Sequence, residues 1–300
     1  MKVNSIAVTP TKKKKSILKK AEPYFYLIPA LGLMVTFTYF PFAKTIVTST
    51  FLTNATGKAV EFIGAENYVN LFHDPTFIRS IINTFIYTFI QVPITIALAF
   101  FMAFLASKKR KFSGIYELLF AFPMAVSMSV AALIFKLLLN PQIGAFNHIF
   151  NLDCLWFNGE NTAMPALIFL GIWLGIGMDF LFLLSAVRGV SDDLIEVARI
   201  DGANLCHELK DIYLPMVSPT IFYLLCTNLA TSMMMSGQVI VLTKGGPNNA
   251  TSTIIYYMYK KAFEIYNYGS SYAAAIVGFT FAFIMILISF RFEKKGVYYN

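Results

Sequence analysis

Charge is scarce in this chain. Asp, Glu, Lys and Arg make up 13% of its 300 residues, where a soluble domain carries about 25%. Combined with 57% hydrophobic residues and a mean hydropathy of +0.63, that scarcity excludes an ordinary soluble globule and predicts a membrane protein. Cysteine is rarer still. Cys154, Cys206 and Cys226 are scattered and odd in number, which excludes a disulfide framework or a cysteine metal cluster. Cys154 falls in a loop expected outside the cell with no second cysteine on that side, so all three read as inert thiols. The three histidines, His73, His148 and His207, fall in loops or in a charged segment, and none pairs at metal-ligand spacing. No Gly-x-x-x-x-Gly-Lys-Ser/Thr sequence occurs, so the chain does not cradle ATP phosphates itself. No Ser/His/Asp, Cys/His or paired-carboxylate arrangement stands out. Neither catalytic residues nor a bound metal are expected.

What the chain has is apolar runs. Stretches free of charge cover 23–43, 80–107, 118–135, 161–178, 212–243 and 265–290. About 20 apolar residues cross a bilayer as a helix. The expectation is an all-α membrane protein with six transmembrane helices at about 24–50, 77–106, 113–139, 163–187, 215–242 and 270–290. A basic tail over 1–22 precedes a membrane domain over 23–295. The stretch 137–152 is also uncharged, but Asn140, Pro141, Gln142, Gly144, Asn147 and Asn151 predict a loop there, with at most an interfacial turn.

The net charge of +8 invites a nucleic-acid partner, but its distribution argues otherwise. Seventeen of the 24 basic residues sit in the tail, between spans 2 and 3, between spans 4 and 5, and after span 6. Lys and Arg favour cytoplasmic loops, so both termini and the 4–5 segment are expected in the cytoplasm. The tail reads as a topology signal that touches anionic headgroups. The first run is long and lacks a small-x-small cleavage site, so it reads as a retained helix.

One polar segment, 188–214, interrupts the apolar spans and continues to Pro215. Ser191 can cap a helix, with Asp192 and Asp193 in its positive first turn. A helix over 192–201 is then ended at Gly202 in a left-handed conformation. A second helical stretch over 204–213 leads into span 5, with Pro215 and Pro219 tolerated near its start. Leu194, Ile195, Ala198 and Ile200 are apolar on a helix that also carries Glu196, Arg199 and Asp201. These residues leave two readings open: a solvated, capped loop, or a short helix that docks into a groove on another protein.

The spacing Glu196-Val197-Ala198, Gly202 and Ile212-Tyr213-Leu214-Pro215 resembles the signature of membrane subunits of binding-protein-dependent ATP-binding-cassette importers. That signature is Glu-Ala-Ala, three residues, Gly, nine residues, Ile-x-Leu-Pro; only Val197 departs from it. Ala198-Arg199-Ile200-Asp201-Gly202-Ala203 is similar to the carbohydrate branch, which takes in maltose, multiple-sugar and glycerol-phosphate permeases. Phe62-Ile63-Gly64 with Asn67-Tyr68, Asn140-Pro141, and Leu242-Thr243-Lys244-Gly245-Gly246-Pro247 are also similar to sugar permeases. The resemblance implies a type I importer permease fold in the bacterial cytoplasmic (inner) membrane. It implies that Glu196, Ala198, Asp201, Gly202, Ala203, Leu214 and Pro215 couple the chain to a separate ATPase. It further implies a second homologous permease, two ATPase subunits, an external solute-binding protein and a sugar, most simply an oligosaccharide. ATP and Mg would lie on the ATPase, leaving no cofactor in this chain.

A polar solute crosses a bilayer only along groups that replace its water. Candidates for that path are Asn228, Ser232 and Gln238 in span 5, Ser127 in span 3 and Asp179 in span 4. Thr231, Ser236, Ser129, Trp173, Asn83 and Gln91 are further polar residues within the spans, and Ser and Thr in such helices usually bond their own backbone or a neighbouring helix. An intramembrane carboxylate such as Asp179 is costly and usually faces the bundle interior or a cavity. The run Met233-Met234-Met235 reads as packing. Trp156, Phe157, Tyr256, Tyr257 and Tyr259 read as an interfacial aromatic belt. Asn54-Ala55-Thr56 and Asn249-Ala250-Thr251 match a glycosylation pattern that a bacterial importer would not use. Two other readings remain: a secondary transporter or channel not driven by ATP, and a membrane-anchored interaction protein.

Overall fold

The computed structural model describes residues 17–108 and 112–298. The lysine run of the tail, together with Lys109, Arg110 and Lys111, lies outside them. The chain divides into a unit up to Val47 and a unit from Thr48 onward. The first is helical throughout its described part: α1 (Ile17–Met34), a π-helical turn (Val35–Tyr39) and α2 (Phe40–Thr48), which runs one residue into the second unit. Thr45 Oγ1 donates to the Pro41 carbonyl at 2.9 Å, a bond back along its own helix.

The second unit opens with a hairpin that the apolar runs did not announce. Strand β1 (Phe51–Thr53) pairs antiparallel with β2 (Ala59–Phe62). Asn54 makes the turn, its Oδ1 accepting from the amides of Thr56 and Lys58 at 3.1 and 2.9 Å. Helix α3 (Glu66–His73) follows, and then α4 (Pro75–Ser107). Asp74 caps α4 by accepting from the Thr76 amide at 2.9 Å. Its other oxygen takes the Tyr257 hydroxyl at 2.7 Å and Lys261 Nζ at 3.3 Å. Burial pushes the Asp74 carboxyl up, but these donors outweigh it and hold it below its ordinary range.

Beyond α4 come α5 (Ser113–Ala121), α6 (Met128–Leu138), α7 (Ala145–Phe150), α8 (Ala163–Arg188), α9 (Asp192–Ile200) and α10 (Leu205–His207). A π-helical stretch, Glu208–Tyr213, leads into α11 (Leu214–Met233), followed by α12 (Gly237–Leu242), α13 (Ile254–Phe263) and α14 (Tyr268–Gly296). Among the described residues, five helical segments are long and apolar enough to cross a bilayer: Tyr24–Thr48, Pro75–Ser107, Ala163–Arg188, Leu205–Leu242 and Tyr268–Arg291. A sixth exists only if Ser113–Ala125 and Met128–Leu138 count together, and they meet at 101°. The span expected over 113–139 is thus a bent pair. Pro123 cannot donate into a helical ladder, Val126 is extended, and Ser127 starts a new helix by accepting from the Val130 amide at 3.4 Å.

Helices α4 and α8 form the axis of the second unit. Val92, Ala99 and Ala103 meet Phe180, Leu183 and Val187, all of them buried. Without a hydrophobic drive between helices in lipid, small residues at such a seam let backbones approach and pack. A second cluster joins Ala131, Ala132 and Phe135 of α6 to Leu167 and Leu170 of α8 and Val239 of α12. A third joins Leu71 and Phe77 to Ile254, Tyr257 and Ala274. Tyr256 and Tyr257 are thus core residues, each 3% exposed, and Phe157 is buried as well. The aromatic belt expected for these three is corrected: their rings are buried in the clusters of the chain itself. Within the stretch expected as a loop, α7 spans six residues. Asn147 there donates to the carbonyls of Pro141 and Cys154 and accepts from Trp156 Nε1 at 2.6 Å.

Candidate functional site

Two regions carry the residues singled out from the sequence. The first is α9. Its expected cap is absent: Ser191 sits at the N-cap position in extended backbone, but its side chain makes no capping bond. Asp192 and Asp193 in the first turn take over that role through the helix dipole. The other end is as expected. Gly202 has φ +87°, and a Cβ there would meet nothing within 4 Å. Its glycine is therefore required by backbone conformation and not by lack of space. The Ala203 amide closes the end by donating to the Ala198 carbonyl at 2.9 Å. Asn204 caps the next turn, accepting from the amides of Cys206 and His207 at 3.0 Å each.

Helix α9 is anchored at two points. Ile195 is buried with Phe104, Val187, Val190 and Tyr213. Arg199 forms a two-pronged ion pair with Glu208, Nε to Oε1 at 2.6 Å and Nη2 to Oε2 at 3.1 Å. Glu208 is 2% exposed. Nothing in the sequence flagged it, because the pair forms only once the turn at Gly202 folds the chain back. On the outer side Leu194, Val197 and Ile200 are exposed, Ile200 by 85%. Spaced every third residue, they make an exposed apolar stripe beside the exposed Glu196 and Asp201. Ala198 and Ala203 are half-buried. Leu214 and Pro215 start α11, Leu214 exposed and Pro215 half-buried.

The second region is an open pocket of about 340 Å³ lined by residues of α4, α6, α8, α11 and α12. Asn228, Ser232 and Gln238 all line it, as do Gln91, Tyr87 and Met234. Asp179, 3% exposed, lies behind it and accepts from Asn228 Nδ2 at 2.7 Å. Two residues picked separately from the sequence thus form one unit. Ser232 Oγ donates to the Asn228 carbonyl of its own helix at 2.5 Å. The break between α11 and α12 opens the wall here and brings Gln238 within 3.5 Å of the Tyr87 hydroxyl. A Cβ at Gly171 would lie 2.1 Å from that hydroxyl, so glycine is what admits Tyr87. Ser127 is not in this lining; it caps α6. Asn83 is also elsewhere, donating to the carbonyls of Asn249 and Ser252 at 2.9 Å each. Trp173 packs on Phe135. Of the methionines, Met233 and Met235 are buried and Met234 is 63% exposed. Tyr87 and Gly171 were missed by sequence reasoning, since a lone tyrosine or glycine in an apolar span carries no signal of its own.

With both regions placed, the comparisons agree with the fold. Over 282 residues the chain is 31% identical to the sn-glycerol-3-phosphate transport system permease protein UgpA of Yersinia enterocolitica, covering 93% of this chain and 96% of that one. It is 30% identical over 287 residues to the probable ABC transporter permease protein YurN of Bacillus subtilis, covering 92% and 97%. A solved structure of a bacterial alginate ABC transporter, in complex with an alginate pentasaccharide-bound periplasmic protein, contains a similar chain. That chain superposes with a TM-score of 0.82 at 21% identity, covering 95% of this chain and 98% of that one. Residues 75–295 match the family of binding-protein-dependent transport system inner membrane components, and this chain belongs to it.

Proposed function

We propose that this chain forms one half of the translocation path of an ATP-driven sugar importer in the bacterial inner membrane. An external binding protein delivers the solute, and a second, homologous permease supplies the other half. Two cytoplasmic ATPase subunits drive the cycle, holding ATP and Mg that this chain does not bind. The membrane domain over 23–295 does the transport, and the segment 188–214 faces the cytoplasm. Closing of the ATPase pair pulls α9 and rocks the spans around the open pocket from inward-open to outward-open. Glu196, Ala198, Asp201, Gly202, Ala203, Leu214 and Pro215 form the coupling surface. Asn228, Ser232 and Gln238 line the path, with Asp179 behind them.

The observation that carries this reading is the stripe of Leu194, Val197 and Ile200. Three exposed apolar side chains on a nine-residue helix are a helix-in-groove surface awaiting a partner. The test is co-purification of the ATPase with Gly202→Asp and Glu196→Ala variants. A non-glycine residue in left-handed backbone costs about 1–2 kcal/mol, and an added carboxylate sits at the docking edge. Gly202→Asp should cut ATPase recovery and uptake roughly tenfold or more, and Glu196→Ala less. Unchanged association and uptake in both variants would remove the coupling role.

A further inference from the structure

The arm α5 of the bent pair lies against the last turns of α8. At the bend, a Cβ on Gly177 would lie 2.9 Å from the Met124 amide nitrogen and 3.0 Å from the Ala121 carbonyl oxygen. Glycine there lets the turn sit directly on α8. Phe120 of the arm meets Phe180 edge-on, with ring centroids 5.5 Å apart. Arg188, the last residue of α8, then reaches Glu117 of the arm. The pair is forked, Nη2 to Oε1 at 2.6 Å and Nη1 to Oε2 at 3.2 Å. Nη2 also donates to the Ala106 carbonyl at 3.3 Å, in the last turn of α4, where helix carbonyls lack partners of their own. One guanidinium thus joins α4, α5 and α8.

Both side chains of the pair are partly exposed, so it adds little to stability. What it fixes is position. Ring contacts tolerate sliding along a helix, whereas a forked, charge-assisted pair has one geometry.

The two sides of Arg188 lead to the two regions described above. On one side, the Gly189 amide donates to the carbonyls of Ser185 and Ala186 at 3.1 Å each. Val190 and Ile195 are buried in one cluster with Val187, so α9 is held to the end of α8. On the other side, α5 leads through the bend to Met128, which lines the open pocket. Met128 also packs on α12 so closely that a Cβ at Gly237 would overlap its methyl group.

Resting on the reading of α9 as the coupling helix, we propose that Arg188 is a positioning residue of the transport cycle. Its bond to Glu117 makes α5 follow α8, so that a shift of α9 turns the bend and moves Met128 at the pocket. Without the bond, α5 slides on α8 and the shift does not reach the pocket wall.

The test uses the detergent-solubilised complete importer with Cys154→Ser, Cys206→Ser and Cys226→Ala, and a reporter thiol from Met128→Cys. Maleimide labelling of that thiol is timed without nucleotide and with ATP and vanadate. With the pair intact the two rates should differ about fivefold, the low end for coupling between sites. In Arg188→Ala and in Glu117→Ala the difference should vanish, and the double variant should be no worse than either. Arg188→Lys should keep part of it, since an ammonium reaches the carboxylate without the fork. ATPase recovery and melting temperature should stay unchanged in all four. A full response in either alanine variant overturns the proposal and leaves the coupling reading intact. Loss of ATPase recovery or of assembly in them also overturns it, since the pair would then hold α9 or the fold itself. No nucleotide response with the pair intact removes the coupling reading, and the proposal falls with it.

Discussion

Helix α9 draws its working surface from nine consecutive residues. The cavity joins side chains as far apart as Tyr87 and Gln238, 151 positions along the chain. The first is exposed, and exposed apolar groups signal a partner. The second gathers side chains from several helices, and polar groups there signal a solute or each other. In α9 the geometry follows from local rules of helix ends: an acidic first turn, a left-handed glycine and a side-chain cap on the next turn. In the cavity nothing local suffices. Tyr87 needs Gly171 on another helix, Asn228 needs Asp179, and Gln238 needs the break between α11 and α12.

The largest effect that would break this comparison lies in the ion pair that ties α9 to the chain beyond Gly202. Glu208→Arg places two cations where Arg199 and Glu208 now pair. Uptake should fall roughly tenfold or more, with ATPase activity no longer stimulated by the binding protein. The double reversal Arg199→Glu with Glu208→Arg should recover a large part of both. If the double variant is no better than either single one, the pair does not act as a unit, and α9 is as local as it looks.

A middle-sized effect would sharpen the cavity side. Gly171→Val pushes Tyr87 away from Gln238. Solute affinity should weaken by a factor of about three to ten, on the order of 1 kcal/mol, with ATPase association unchanged. Loss of ATPase association in this variant would show that cavity and helix are not separable. The smallest effect is expected at Ser127, whose cap is long and solvent-exposed. Ser127→Ala should cost about 0.5–1 kcal/mol of stability, the low end for a cap, read as a slight loss in melting temperature with uptake unaltered. A clear uptake defect there would return Ser127 to the path.

The same contrast explains what the sequence made legible. Gly202 was readable because a glycine after an amphipathic stretch is a local stop signal. The long helices were readable because runs without charge are contiguous. The hairpin at 51–62 was not, because its strands of three and four residues are shorter than any periodic pattern. Nor was the bend at Val126 and Ser127. Apolar composition reports that a segment prefers lipid or core, not that its axis turns by 101°. Asp179 and Asn228 were each found as costly polar residues in apolar surroundings. Their pairing required the fold.

That bend has a consequence for how the protein is made. Its two arms are 13 and 11 residues long, about 20 and 16 Å at 1.5 Å per residue, against a hydrocarbon core of about 30 Å. Neither arm can enter the bilayer from the translocation machinery as a finished span. The peptide groups at the turn also need protein around them, since lipid cannot satisfy them. The bend and both arms pack on α8, which is synthesised later, so residues 113–138 are expected to settle only once α8 is in place.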